Sequence, residues 1–124
     1  MRRFVEDDHQ EALIKWADIS ASERFPTNLL YSNPMGGYRN PREGARLKAQ
    51  GARKGMLDLV LPVPRNGFHG LYIELKRPIV KGEAKPTVSP EQKYWIEQLR
   101  LQGYKAEVCY GWTQAKELIE GYLK

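Results

Sequence analysis

The sequence predicts an α/β domain, a mixed β-sheet flanked by α-helices. Three observations carry this expectation. Two apolar runs with strict two-residue alternation are joined by a turn-rich loop, a helix-start signature lies downstream of them, and helical and extended patterns alternate along the chain.

The elements follow in order. Residues 6 to about 19 read as an amphipathic helix with Leu13, Ile14, Trp16 and Ala17 as its apolar stripe. Residues 29–32 read as a short strand. Residues 41–50 form a short helix with Arg42 and Arg46 one turn apart and Gly51 as its stop. In Met56-Leu57-Asp58-Leu59-Val60-Leu61 the three leucines share one face, which leaves Asp58 beside Val60 on the other. Residues 62–70 hold two prolines, two glycines and an Asn66-Gly67 pair, the chemistry of a loop between adjacent antiparallel strands. In Leu71-Tyr72-Ile73-Glu74-Leu75-Lys76, Tyr72, Glu74 and Lys76 lie opposite the aliphatic side chains. Ser89-Pro90-Glu91-Gln92 starts a helix, with Ser89 as N-cap, Pro90 at N1 and Gln92 completing a capping box, followed by Trp95, Ile96 and Leu99 at helical spacing. Residues 106–110 read as a strand. Thr113 is expected to cap a last helix to about residue 123, with Leu118, Ile119, Tyr122 and Leu123 inward. No repeat or linker divides the chain, so residues 1–124 are expected to be one domain.

Composition narrows the function classes. The chain has 124 residues, 41% of them apolar, which is enough for one core. It has no long apolar run, and its start lacks the hydrophobic stretch of a signal peptide, so no membrane span is expected and the expected location is cytoplasmic. One cysteine, Cys109, rules out an internal disulfide framework and reads as a small buried hydrophobe. His9 and His69 make no zinc-like pattern. A net charge of +5 and a pI near 9.4 suit a polyanionic partner. Arg39, Arg42, Arg46, Lys48, Arg53 and Lys54 crowd the glycine-containing segment before Asp58, as a close approach to a phosphate backbone would need. A mobile basic surface loop is the plainer explanation of the same pattern. A second basic segment beginning Lys76-Arg77 leaves the next strand as a loop beside the same site.

Charged residues seldom go inside unless paired or bound to metal, so Asp58, Glu74 and Lys76 in apolar strands require a cause. If the strands pair, Asp58 faces Glu74, and a hard cation such as Mg²⁺ would relieve their repulsion. A solvated face with a cross-strand ion pair is the alternative. Glu6 lies within about 20° of the azimuth of Leu13 and so ends the buried stripe, whereas Glu11 faces water. Glu6 could equally serve the helix N-terminus. Gln92 could be a cap and nothing more, or could reach the sheet from the packed face of its helix.

In their order, Glu6, Asp58, Glu74-Leu75-Lys76 and Gln92 resemble the VRR-NUC family, a compact branch of the PD-(D/E)xK, restriction-endonuclease-like nucleases. Gly55-Met56-Leu57-Asp58-Leu59 looks like the family's Gly-x-Pro-Asp-Leu, and Ile73-Glu74-Leu75-Lys76 like its Ile-Glu-x-Lys strand. Ser89-Pro90-Glu91-Gln92 is similar to its Ser-x-x-Gln, and Gly103-Tyr104 with Val108-Cys109-Tyr110-Gly111 resembles its closing segment. Pro34-Met35-Gly36-Gly37-Tyr38-Arg39 resembles a segment of phage-encoded members. Leu57 stands where the family usually has proline.

The resemblance implies Mg²⁺- or Mn²⁺-dependent hydrolysis of a DNA phosphodiester. Asp58, Glu74 and the Leu75 carbonyl would hold the cation, with Glu6 completing the set directly or through water and Glu11 as the alternative carboxylate. Lys76 would orient the attacking water or stabilise charge in the transition state, and Gln92 would position its neighbours. Arg77 joins the basic residues expected to meet DNA. Stand-alone members of this size resemble Holliday-junction resolvases acting as homodimers, so branched DNA is the expected substrate. The rivals are a catalytically silent DNA- or RNA-binding domain of the same fold and a phage structural or packaging protein.

Overall fold

A computed structural model describes residues 2–34 and 40–124, with side chains from residue 5 onward. The elements are α1 (Arg2–Ser20), a 3-10 turn (Thr27–Leu29), β1 (Tyr31–Ser32), α2 (Pro41–Ala49), β2 (Leu59–Leu61), β3 (Leu71–Lys76), α3 (Pro90–Leu101), β4 (Lys105–Tyr110) and α4 (Trp112–Leu123). Their order is the one the sequence predicts.

The four strands form one sheet in the order β1-β2-β3-β4. The first three are antiparallel, and β4 lies parallel to β3. A parallel pair needs a crossover, which α3 supplies. Between β2 and β3, Asn66 and Gly67 have φ of 52° and 83°. A type I′ turn needs positive φ at both central positions, and the Asn-Gly pair meets that need. Arg65 and Phe68 close the turn by exchanging backbone hydrogen bonds of 3.2 and 2.8 Å. Asn66 Nδ2 donates to the Tyr122 carbonyl at 2.9 Å, and Tyr122 Oη donates to the Val63 carbonyl at 2.6 Å, so α4 fixes the loop.

One face of the sheet packs on α1 and α4. Leu13 and Ala17, a turn apart on α1, meet Leu59, Leu61, Leu71, Ile73, Leu75 and Cys109 of the sheet, with Ala115, Ile119, Tyr122 and Leu123 from α4. Burial pushes the Cys109 thiol up to about 12, which keeps it a neutral, buried side chain. Among the described residues, no helix is long and apolar enough to cross a membrane.

Several boundaries differ from the sequence expectation: α1 starts at Arg2 rather than Glu6, and Leu29 ends a 3-10 turn, so β1 covers only Tyr31–Ser32. Two more differ for a physical reason. The strand expected at residues 56–61 begins only at Leu59, so Asp58 lies in a bend just ahead of it. Its side chain takes the Leu75 N–H, at 3.0 Å, that a longer ladder would have given to a backbone carbonyl. The last helix begins at Trp112, one residue before the expected cap Thr113. Gly111, with φ 94°, turns the chain into it, and the Trp112 N–H donates to His9 Nδ1 of α1 at 3.0 Å. A side chain from across the molecule thus satisfies a free donor of the helix start.

Candidate active site

Continuing the β2–β3 register by one step from Leu59↔Ile73 sets Asp58 against Glu74. Both carboxyls are drawn into the protein: Glu74 is 3% exposed, and Asp58 is half-buried. Desolvation is the main reason both titrate above their ordinary range, since burial penalises the charged form. The neighbouring Asp58 charge adds to this for Glu74, and Lys76 partly offsets it. Glu74 is pushed up to about 8. Asp58 is also raised, although the Leu75 N–H favours its charged form.

Around Glu74 the hydrogen bonds are unevenly shared. Oε2 accepts from Gln92 Nε2 at 2.8 Å and lies 3.3 Å from Lys76 Nζ. Among the described residues Oε1 is buried with no hydrogen-bond partner while both carboxyls are charged, although a proton on one of them lets Asp58 and Glu74 bond to each other. A bare buried oxygen carries a full desolvation cost, so it points to an unfilled need for a cationic or donor partner. The Leu75 N–H faces Asp58, and in an antiparallel pair a residue presents both its N–H and its carbonyl to the same neighbour. The Leu75 carbonyl is therefore turned to the Asp58 side of β3. Two carboxylates and this carbonyl make a hard oxygen donor set of the kind Mg²⁺ or Mn²⁺ accepts.

Gln92 joins the site to α3. Ser89 Oγ accepts from the Gln92 N–H at 3.1 Å, and Gln92 Oε1 accepts from the Ser89 N–H at 2.9 Å, which completes the expected capping box. The same Oε1 accepts from Lys76 Nζ at 3.1 Å. Both partners of Oε1 can act here as donors alone, so the amide has one consistent orientation, with its NH₂ toward Glu74. Gln92 thus caps the helix and also holds Glu74 and Lys76.

The approach to Asp58 is fixed against the same helix turn. Gly55 has φ +82°, and a Cβ there would come within 2.6 Å of Glu91 Cβ and 2.9 Å of the Gln92 nitrogen. Only glycine allows this contact. Trp95 Nε1 donates to the Lys54 carbonyl at 2.8 Å, and Lys54 Nζ pairs with Glu91 at 3.1 Å. Gly55 and Trp95, which the sequence marks only as a motif glycine and a packed helix residue, thus hold the segment before Asp58 against α3. A tryptophan on a packed helix face needs an acceptor for its indole N–H, and that requirement was the available signal.

The other expected site residues fall into place unevenly. Glu6 is half-buried, and its charge raises Asp58, whereas Glu11 is exposed. Among the described residues, no three of His, Cys, Asp and Glu stand together as a metal-holding group. Arg42, Arg46, Lys48, Arg53 and Lys54 are exposed, as a binding surface requires. Arg39 lies outside the described residues. Arg77 corrects the sequence expectation of a DNA-facing cation. It is 9% exposed, its guanidinium donates to the Ala84 carbonyl at 2.8 Å and to the Pro78 carbonyl at 3.4 Å, and it lies 3.8 Å from Glu83. Its work is to fold back the loop after β3.

Comparison with known proteins accords with this geometry. The family model of the VRR-NUC domain matches residues 3–113. A solved structure titled "VRR_NUC domain protein" superposes with a TM-score of 0.79 at 28% identity, covering 95% of this chain and 87% of that one. No curated protein matches the chain.

Proposed function

The chain belongs to the VRR-NUC domain family, a family with a nuclease fold, and from that membership we propose that it is a metal-dependent DNA endonuclease. One observation carries the proposal: a half-buried Asp58 against a buried Glu74 whose Oε1 has no donor among the described residues, beside a lysine that Gln92 holds in place. Asp58, Glu74 and the Leu75 carbonyl would hold the cation, and Glu6, whose charge is felt at Asp58, would act on it through water. A bound Mg²⁺ or Mn²⁺ would neutralise the pair, draw charge from the scissile phosphate and make an attacking water more acidic.

The chain's own groups supply the rest. Lys76 Nζ stands 3.3 Å from Glu74 Oε2, and beside a phosphate held there its charge would stabilise the negative charge gained during displacement. Gln92 fixes the Lys76 rotamer and thus keeps that charge in register. The exposed arginines and lysines of residues 42–54 would bind phosphates on either side of the cut.

Branched DNA is the proposed substrate, with two copies of the chain acting together. A four-way junction needs two symmetric nicks, and each copy offers one carboxylate pair. The test is a nicking assay on a synthetic four-way junction beside matched linear duplex and single strand, in Mg²⁺, Mn²⁺ or EDTA, with wild type and Lys76→Ala. Paired, metal-dependent nicks on the junction that vanish in the variant are expected. Cleavage of the linear duplex as fast as the junction would remove the branched substrate.

A second reading, a DNA-binding domain that keeps the fold without the chemistry, is favoured by the lack of a three-residue ligand group among the described residues. Tight binding with no cleavage of any substrate in either metal would establish it.

A further inference from the structure

The sheet face that carries Glu74 and Lys76 has a second feature, which hydrolysis does not use. Directly opposed residues on neighbouring strands share a face, so the register Tyr31↔Val60↔Tyr72 sets both tyrosines on one side of the sheet. Alternation along β3 puts Glu74 and Lys76 on that same side. Tyr104, which leads into β4, meets Tyr72 edge-on with ring centroids 5.4 Å apart, and His69 meets Tyr104 edge-on at 5.7 Å. An aromatic row thus crosses the sheet from the edge strand β1.

Packing does not account for the whole row. Val60, between Tyr31 and Tyr72, is 8% exposed and makes an apolar floor, but Tyr31 remains 54% exposed at the sheet edge. A ring so placed gains little from burial. The row is also continuous with the proposed site: Tyr72 lies two residues from Glu74, roughly 7 Å along an extended strand. That spacing is on the scale of one nucleotide step, so a DNA strand with a phosphate at Glu74 and Lys76 would bring a neighbouring base over the tyrosines. Bases inside a duplex are stacked on both sides and have no free face. An unpaired base offers one, and aromatic side chains accept any base because every base has a π-face.

We propose that Tyr31, Tyr72 and Tyr104 form a stacking surface for an unpaired base of the DNA strand held at Glu74 and Lys76. The substrate class is then DNA with unpaired nucleotides beside the cut, such as an opened branch point, a gap or a flap. The proposal rests on the nuclease reading, since that reading places the strand.

The experiment uses the full chain and gapped DNA carrying 2-aminopurine at the unpaired position, bound in Ca²⁺, with anisotropy on the same DNA to follow binding. Binding should quench the fluorescence several-fold. Tyr31→Thr, on an exposed strand position where threonine keeps β-propensity, should abolish most of the quench while fully paired duplex binds within about twofold of wild type. Tyr72→Val should do the same, with circular dichroism confirming the fold. Unchanged fluorescence on binding, or equal quenching in both variants, overturns the proposal. So does a change of oligomeric state in Tyr31→Thr with the quench retained, which would make the row a seam between copies of the chain. A parallel nicking assay in Mg²⁺ separates the two ideas. Cleavage without quenching removes the stacking surface and leaves the nuclease, quenching without cleavage does the reverse, and failure to bind the gapped DNA removes the stacking surface and leaves the nuclease to the junction assay.

Discussion

The carboxylate cluster and the basic segment ahead of it handle charge in opposite ways. Around Glu74, charge is taken out of water: the carboxyl is 3% exposed, its proton affinity is raised, and Gln92 and Lys76 crowd one of its oxygens. Along α2 no residue is buried, and Arg42, Arg46 and Lys48 stand in solvent. A desolvated group acts strongly on one point, because little water screens it. Solvated cations act weakly and over a distance, by releasing counterions from a polyanion. The first arrangement suits a chemical step, and the second suits affinity.

Substitutions should divide along that line. The largest effect is expected at Lys76 and Glu74: Lys76→Ala or Glu74→Gln should lower the cleavage rate by at least about 100-fold, with DNA affinity changed by less than about threefold. Loss of fold in both, seen by circular dichroism, would make them structural residues and break the contrast. Gln92→Ala comes next. It removes a partner of Glu74 and Lys76 as well as half of a capping box, so cleavage should fall about 10- to 100-fold and stability by about 1 kcal/mol. Stability loss without rate loss would reduce Gln92 to a cap.

A third test uses pH. Glu74 binds its proton more tightly in the folded chain than its ordinary value of 4.5 allows in the unfolded one, so folding takes up a proton. With EDTA present, stability should therefore fall as pH rises from about 4.5 to about 8, and Glu74→Gln should flatten that slope. Melting curves that rise through the same window would contradict the desolvated carboxyl. The smallest effects belong to the basic segment. Arg42→Ala, Arg46→Ala and Arg53→Ala should each weaken binding a few-fold and reduce the salt slope by about 1, while the rate at saturating DNA stays unchanged. A changed rate at saturation would move the residue into the chemistry.

Features of the fold also differ in how well the sequence foretold them. β3 and α3 were legible because their signals are local: the alternation of residues 71–76, the Asn66-Gly67 turn and the Ser89 capping box each lie within a few residues. Misplaced features depend on partners that lie beyond the reach of a local pattern, in another element or around a loop. Asp58 leaves the strand because its side chain replaces a ladder acceptor for Leu75, seventeen residues on. Trp112 starts α4 because His9, a hundred and three residues earlier, accepts its N–H. Arg77 reads as a surface cation in a basic run, yet the loop folds its own Ala84 carbonyl back onto the guanidinium. Alternation and propensity carry no trace of such pairings.

Gln92 Oε1 accepts from the Ser89 amide and from Lys76 at once, so the integrity of the site is tied to the first turn of α3. Helix ends fray more readily than the core unfolds, by local openings that never reach the global barrier. Each such opening would release Lys76 together with the cap. Exchange of the Ser89 amide proton with deuterium therefore clocks how often the catalytic arrangement comes apart, and binding of DNA or metal that steadies the arrangement should slow that clock.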